Sequence, residues 1–197
     1  MDIIANLKLL NAKERYHLFN LAIDKKELKI GKHFAKTIEN LINVAIPDKH
    51  FAAIDYHINW LYAALSIDVL NDNNEHEINN EIFKSNIEDV DLIIVFEKCE
   101  GYCIIMIEAK LTDCWTNNQV NSKITRLNTL FDNIQENNIE TYFILMSPMK
   151  SEGLVIENTK RWLDAKNKPM WIKMESPTLY MLTKSKKESK YWKVKKR

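Results

Sequence analysis

Apolar positions in this chain switch between helical spacing and short unbroken runs, and the order of the two patterns predicts an α/β protein. Asn11 with Glu14 three residues on is a capping-box-like start. Tyr16, Leu18, Phe19, Leu21 and Ile23 then form an apolar face as far as Asp24. A second helix is predicted from Gly31 to Val44, with Phe34, Ile38, Leu41 and Ile42 inward and Pro47 beyond its end. Phe51, Ile54, Ile58, Leu61 and Leu65 fall at spacings of 3, 4, 3 and 4, which predicts a third helix over 51–65. Residues 69–87 are polar and read as a loop leading into a short strand near 81–84.

The period then changes. Leu92 to Phe96 and Tyr102 to Lys110 are apolar runs around the turn Glu97-Lys98-Cys99-Glu100-Gly101, and together they predict a hairpin. If its centre lies near Cys99, Phe96 faces Tyr102 or Cys103, and Asp91 faces Ile107 or Glu108. Glu108 and Lys110 are two apart and so share a face. Thr116 is a plausible N-cap for a helix with Val120, Ile124, Leu127, Phe131 and Ile134 inward. Thr141 to Met146 predicts a buried strand, parallel to the preceding one because a helix separates them. A short helix at 156–166 follows, then strands near Trp171 and Tyr180, and a closing strand KYWKV against TLYML.

The hairpin gathers chemistry at the end far from its turn. Asp91, Glu108 and Lys110 meet there on an otherwise apolar element. Two carboxylates so close repel, and burial raises the cost. A divalent cation between them removes the repulsion, and hard oxygen ligands suit Mg²⁺ or Mn²⁺. The competing reading is that Lys110 pairs with one carboxylate at a wet sheet edge. Gln119 and Lys123, one turn apart at the start of the following helix, would favour a phosphate near that helix's N-terminus. Asp55 and His57 flank the stripe of the helix predicted over 51–65 and could project past the core edge, or act as ordinary boundary residues.

Composition narrows the choice. The 197 residues suffice for one domain with a full core, and 46% hydrophobic content is ordinary for a globular protein. No run approaches a membrane span, and Met1-Asp2 opens no signal peptide. Three cysteines without a paired motif suggest a reducing cytoplasm and no zinc site. Five histidines form no HxH or HExxH group, and three glycines leave no nucleotide-binding loop. The net charge of +1 hides an asymmetry: residues 1–100 carry 11 Lys/Arg against 17 Asp/Glu, and residues 101–197 carry 17 against 10. The last fourteen, KSKKESKYWKVKKR, hold eight basic groups and one acid. Lys190, Trp192, Lys193 and Lys195 there fit contact with a phosphate backbone and a stacked base, or else a solvated tail.

The order helix, strand, strand, strand, helix, strand, with Asp91 … Glu108-Ala109-Lys110 on the second and third strands, resembles the PD-(D/E)XK nuclease superfamily over residues 50–147. An acid-x-Lys triplet also occurs at 24–26, 27–29, 164–166 and 188–190, but only 108–110 ends a long apolar strand paired with one that begins at an aspartate. The block DYHINWL … DVDLIIVFE … IEAKLTDCWTNNQ is similar to that of uncharacterised bacterial proteins of the superfamily. Val90 stands where the family's first motif has proline.

The resemblance implies a restriction-endonuclease-like core, a mixed central sheet flanked by helices, over residues 50–197 with a C-terminal basic hairpin. Residues 1–49 would be a helical extension packed on it. It implies that Asp91, Glu108 and the Ala109 carbonyl hold Mg²⁺ or Mn²⁺ and that Lys110 positions the attacking water. Gln119 looks like the glutamine that some exonuclease-like branches place on the next helix, and Lys123 stands where they carry tyrosine. Asp55 or His57 would take the accessory role. The expected activity is metal-dependent phosphodiester hydrolysis of nucleic acid, DNA by preference, leaving a 5′-phosphate, in a cytoplasmic protein. No separate sequence-reading domain remains, so specificity would be weak, structure-dependent, or supplied by a homodimer or a partner protein. The alternatives are a non-catalytic nucleic-acid-binding or assembly protein that kept the fold, and a structural salt-bridge cluster.

Overall fold

A computed structural model describes residues 2–10, 27–69, 71, 74–77, 79–83, 88–111, 115–134, 138–157, 159–175, 180–184 and 191–196. The helix predicted over 11–24 and Lys190 lie outside the described residues. The elements are α1 (Ile3–Leu10), α2 (Lys32–Ile42), β1 (Phe51–His57), α3 (Ile58–Ser66), β2 (Asp89–Glu97), β3 (Tyr102–Ala109), α4 (Asn117–Asn133), β4 (Ile139–Ser147), β5 (Trp171–Lys173), β6 (Tyr180–Lys184) and β7 (Trp192–Lys196).

β3 explains the centre of the fold. Cys103 to Ile107 are five consecutive residues with no solvent exposure, and an unbroken apolar run of that kind suits a strand covered on both faces. The sheet order is β1-β2-β3-β4-β5. β1, β2 and β3 form an antiparallel meander, and β4 and β5 run parallel to β3. The protein is therefore α+β, with a mixed five-stranded sheet flanked by helices. Ile104 and Met106 enter a core layer shared with α1, α3 and α4, whereas Ile105 and Ile107 enter a second layer covered by α2. Two of the helices from the expected N-terminal extension, α1 and α2, thus lie on opposite faces. β6 and β7 form a two-stranded antiparallel sheet of their own, as predicted for KYWKV against TLYML.

The predicted hairpin holds, with Phe96 opposite Cys103. Gly101 makes its turn possible: φ is +88°, and a Cβ there would meet the Asn138 carbonyl oxygen at 1.8 Å. Thr116 caps α4 in a full capping box with Gln119, and β4 is parallel to β3 as expected.

Three predictions are corrected. Residues 51–57 are strand, not helix. Phe51 and Ala53 enter one core layer and Ala52 the other, a two-sided burial that a one-striped helix cannot provide. The helical spacing was real only from Ile58 onward, where Ile58, Leu61 and Leu65 are buried on α3. The short strand expected near 81–84 is instead a turn over its described residues. Asn79 accepts from the Glu81 N–H through its side chain, and from Ile82 and Phe83 through its carbonyl. The helix expected over 156–166 is replaced by turns in the described residues. Asp164 Oδ1 accepts from the Lys166 and Lys168 N–H groups at 2.8 and 2.9 Å, and such a local bond competes with helix.

Candidate active site

The register of the meander decides what its ends bring together. The last β2–β3 rung pairs Leu92 with Ile107, so one step further Asp91 comes level with Glu108. On the other side, the rungs Ile54–Leu92 and Tyr56–Val90 put Asp55 level with Asp91. Three acids from three adjacent strands therefore share one cross-strand row. Asp55 and His57 belong to β1 and not to the flanks of a helix, which corrects their predicted setting. Asp55 is exposed and holds a left-handed backbone, φ 47°, a conformation that aspartate tolerates better than most residues. His57 pairs with Asp89 across the ladder, and its ring lies 3.9 Å from that of Trp60.

Asp91 is fixed by the neighbouring strand: its Oδ2 accepts from the Ala109 N–H at 2.6 Å. Glu108 is held from above by α4. Lys123 Nζ donates both to Glu108 Oε1 and to the Asp89 carbonyl. Lys110 Nζ donates to Gln119 Oε1 at 2.8 Å. That oxygen also accepts from the Thr116 N–H, while Thr116 Oγ1 accepts from the Gln119 N–H. The cap that starts α4 thus also orients Lys110. Glu108, Lys110, Gln119 and Lys123 line one cleft of about 320 Å³, together with Glu88 and Trp115. The C-terminal hairpin contributes none of the described residues that line it; Lys193 is exposed on β7, and Trp192 and Lys195 belong to the same strand.

Arg126 is a functional-site residue that the sequence pattern does not point to. It is 2% exposed, and it donates to the Ile82 carbonyl at 3.0 Å, to Glu88 Oε2 at 3.1 Å and to Asn59 Oδ1. By tying Glu88 to α4, it sets one wall of the cleft.

Burial pushes the Glu108 carboxyl up to about 7. Lys123 pulls it down, and the nearby Asp91 and Glu88 push it further up. A carboxyl whose folded pKa lies above its unfolded one binds protons more tightly when folded. Its stabilising effect is complete below about pH 4.5 and is lost as pH rises through about 7. Without divalent ions, the melting temperature of the wild type should therefore fall between pH 5 and 8 relative to Glu108→Gln, which cannot titrate. Parallel pH curves for the two proteins would contradict the shift.

Among the described residues, no group of three or more His, Cys, Asp or Glu side chains is arranged to hold a metal ion. The donors still fit Mg²⁺ or Mn²⁺, because such an ion commonly takes one or two carboxylates and fills its remaining positions with water and substrate oxygens. Glu108, crowded by two other carboxylates, is also where a cation would relieve repulsion.

Family models, curated proteins and solved structures all fail to match this chain. Among the described residues no helix is long and apolar enough to cross a membrane.

Proposed function

We propose that the protein is a metal-dependent nuclease of the PD-(D/E)XK type, hydrolysing phosphodiester bonds in nucleic acid, most simply DNA. The observation that carries this reading is the level pair Asp91 and Glu108, with Lys110 two residues on, beside the N-terminus of α4. The succession α2, β1, β2, β3, α4, β4 supports it, since it repeats the superfamily's order of helix, three strands, helix and strand. One short helix, α3, intervenes between β1 and β2. Restriction-endonuclease-like architecture is part of the same proposal.

In this reading Asp91 and Glu108 would hold Mg²⁺ or Mn²⁺ with the Ala109 carbonyl, and Asp55, level with Asp91 one strand further out, would take the accessory role. When bound, the ion supplies Lewis acidity toward a phosphate oxygen and lowers the pKa of water. Lys110, aimed by Gln119, orients the attacking water and offsets charge on the phosphate. Lys123 neutralises Glu108 and leaves it poised. The basic β6–β7 hairpin, with Lys193 and Lys195, offers the polyanion a second contact.

A specific observation favours one rival: Glu108 already has an ion-pair partner in Lys123, as a purely structural cluster would. Supercoiled plasmid and single-stranded DNA, incubated with the protein in Mg²⁺, Mn²⁺ or EDTA, separate the two. The nuclease reading predicts cutting that needs the metal and that Asp91→Ala abolishes. Neither cutting nor strand binding would leave the trio a structural cluster, and DNA binding without cutting, unchanged in Asp91→Ala, would instead establish a binding module.

A further inference from the structure

Beside the cleft lies a larger cavity of about 420 Å³ that the proposed chemistry does not use. Trp115 lines both. The register places the cavity relative to the site. Glu108 pairs with Leu145, and Leu145 with Trp171, and both Leu145 and Trp171 line the cavity. Trp171 therefore stands in the row of Glu108, two strands away, or about 10 Å at the usual strand spacing.

The walls have recognisable chemistry. Trp171 is a fixed plate: its Nε1 donates to Ser147 Oγ at 2.9 Å, and Ser147 Oγ donates to the Met149 carbonyl at 2.6 Å. Lys150 Nζ lies 5.8 Å from the centre of the Trp171 ring. Lys150, Lys168 and Glu152 line the cavity, and the Asp164 carboxylate lies within electrostatic reach of Lys150. Trp115 is 7% exposed, and its indole N–H has no hydrogen-bond partner among the described residues.

We propose that this cavity receives one unpaired nucleobase of the bound strand, close to the phosphate in the Glu108 cleft. The proposal rests on the nucleic-acid reading of that cleft and deepens it by naming the substrate as single-stranded or locally unpaired. The base stacks against Trp171, as bases do on aromatic plates in single-strand binders. The lysines take the flanking phosphates. A paired base cannot enter unless it leaves the stack, so duplex ends, gaps and single strands are favoured over intact duplex.

The test is binding in EDTA, so that it does not depend on cutting. Full-length protein is titrated into fluorescently labelled single-stranded oligonucleotides that carry one abasic residue at successive positions. Loss of the base at one position is expected to weaken binding by about tenfold. Trp171→Leu should weaken binding to the intact strand to the same level and erase the dependence on position. Lys150→Glu, at an exposed residue, should weaken binding as well and serves if Trp171→Leu does not fold. Equal affinity for every abasic position, a position dependence that survives in both variants, or no strand binding at all overturns the proposal. Base-dependent binding without metal-dependent cutting keeps the pocket and refutes only the nuclease.

Discussion

Lys110→Ala is expected to lower the rate of metal-dependent DNA cutting by roughly 10²–10⁴-fold, the range that a positioned proton-transfer group contributes. The residue is half-buried at the end of β3, and its ammonium meets Gln119 across the cleft mouth. Removing it opens no cavity in the core, so the melting temperature should stay near that of the wild type. Lys110→Arg keeps the charge but presents a broad planar fork in place of a compact ammonium, and it should not restore the rate. Gln119→Ala acts less directly. It removes the acceptor that aims Lys110 and half of the capping box of α4, so a smaller rate loss should come with a modest loss of stability, about 1 kcal/mol. A gel-based rate for each variant beside its thermal melt checks all three. If Lys110→Ala cuts within threefold of the wild type, the lysine has no chemical role.

The second large effect is structural. Arg126→Leu is expected to cost about 3–5 kcal/mol, the usual result of breaking a buried ion pair from one side. The substitution removes the guanidinium from Ile82, Glu88 and Asn59 at once. It would leave the Glu88 carboxylate, 30% exposed at its side chain, without that partner beside Glu108. For a chain of this size the loss corresponds to a fall in melting temperature of roughly 6–20 °C. Arg126→Lys should recover only part of it, since one ammonium cannot reach three acceptors lying in different directions. A melt of Arg126→Leu within 2 °C of the wild type would show that the network contributes little.

Much of the site was legible in the sequence because a hairpin with a short turn has little freedom in register. The turn narrows the register to two, with Phe96 opposite Tyr102 or Cys103 and Asp91 opposite Ile107 or Glu108, and the ladder takes the second of each. Thr116 as an N-cap announced the start of α4, while the reciprocal bond from Gln119 appears only in the structure. What failed was the reading of 51–57. Its spacing of 3, 4, 3, 4 was genuine, but it ran across a strand and a helix joined without a loop. Six ladder pairs with β2 and burial on two faces outweigh helical periodicity over seven residues. Asp55 stands in the carboxylate row through the register of β1, not through a helical flank. Arg126 was illegible, because nothing local distinguishes a buried arginine from an exposed one on a polar helix. Its partners lie 38 to 67 residues away. Lys123 was placed on the correct flank of α4, but its bond to Glu108 needed the crossing of α4 over β3.

The central claim is that Asp91 and Glu108 together hold a divalent cation, and a Mn²⁺ titration followed by calorimetry tests it directly. The account predicts a Mn²⁺ site in the wild type whose affinity falls at least tenfold in Asp91→Asn and again in Glu108→Gln. No Mn²⁺ binding by the folded wild type, or equal binding by all three proteins, would contradict it.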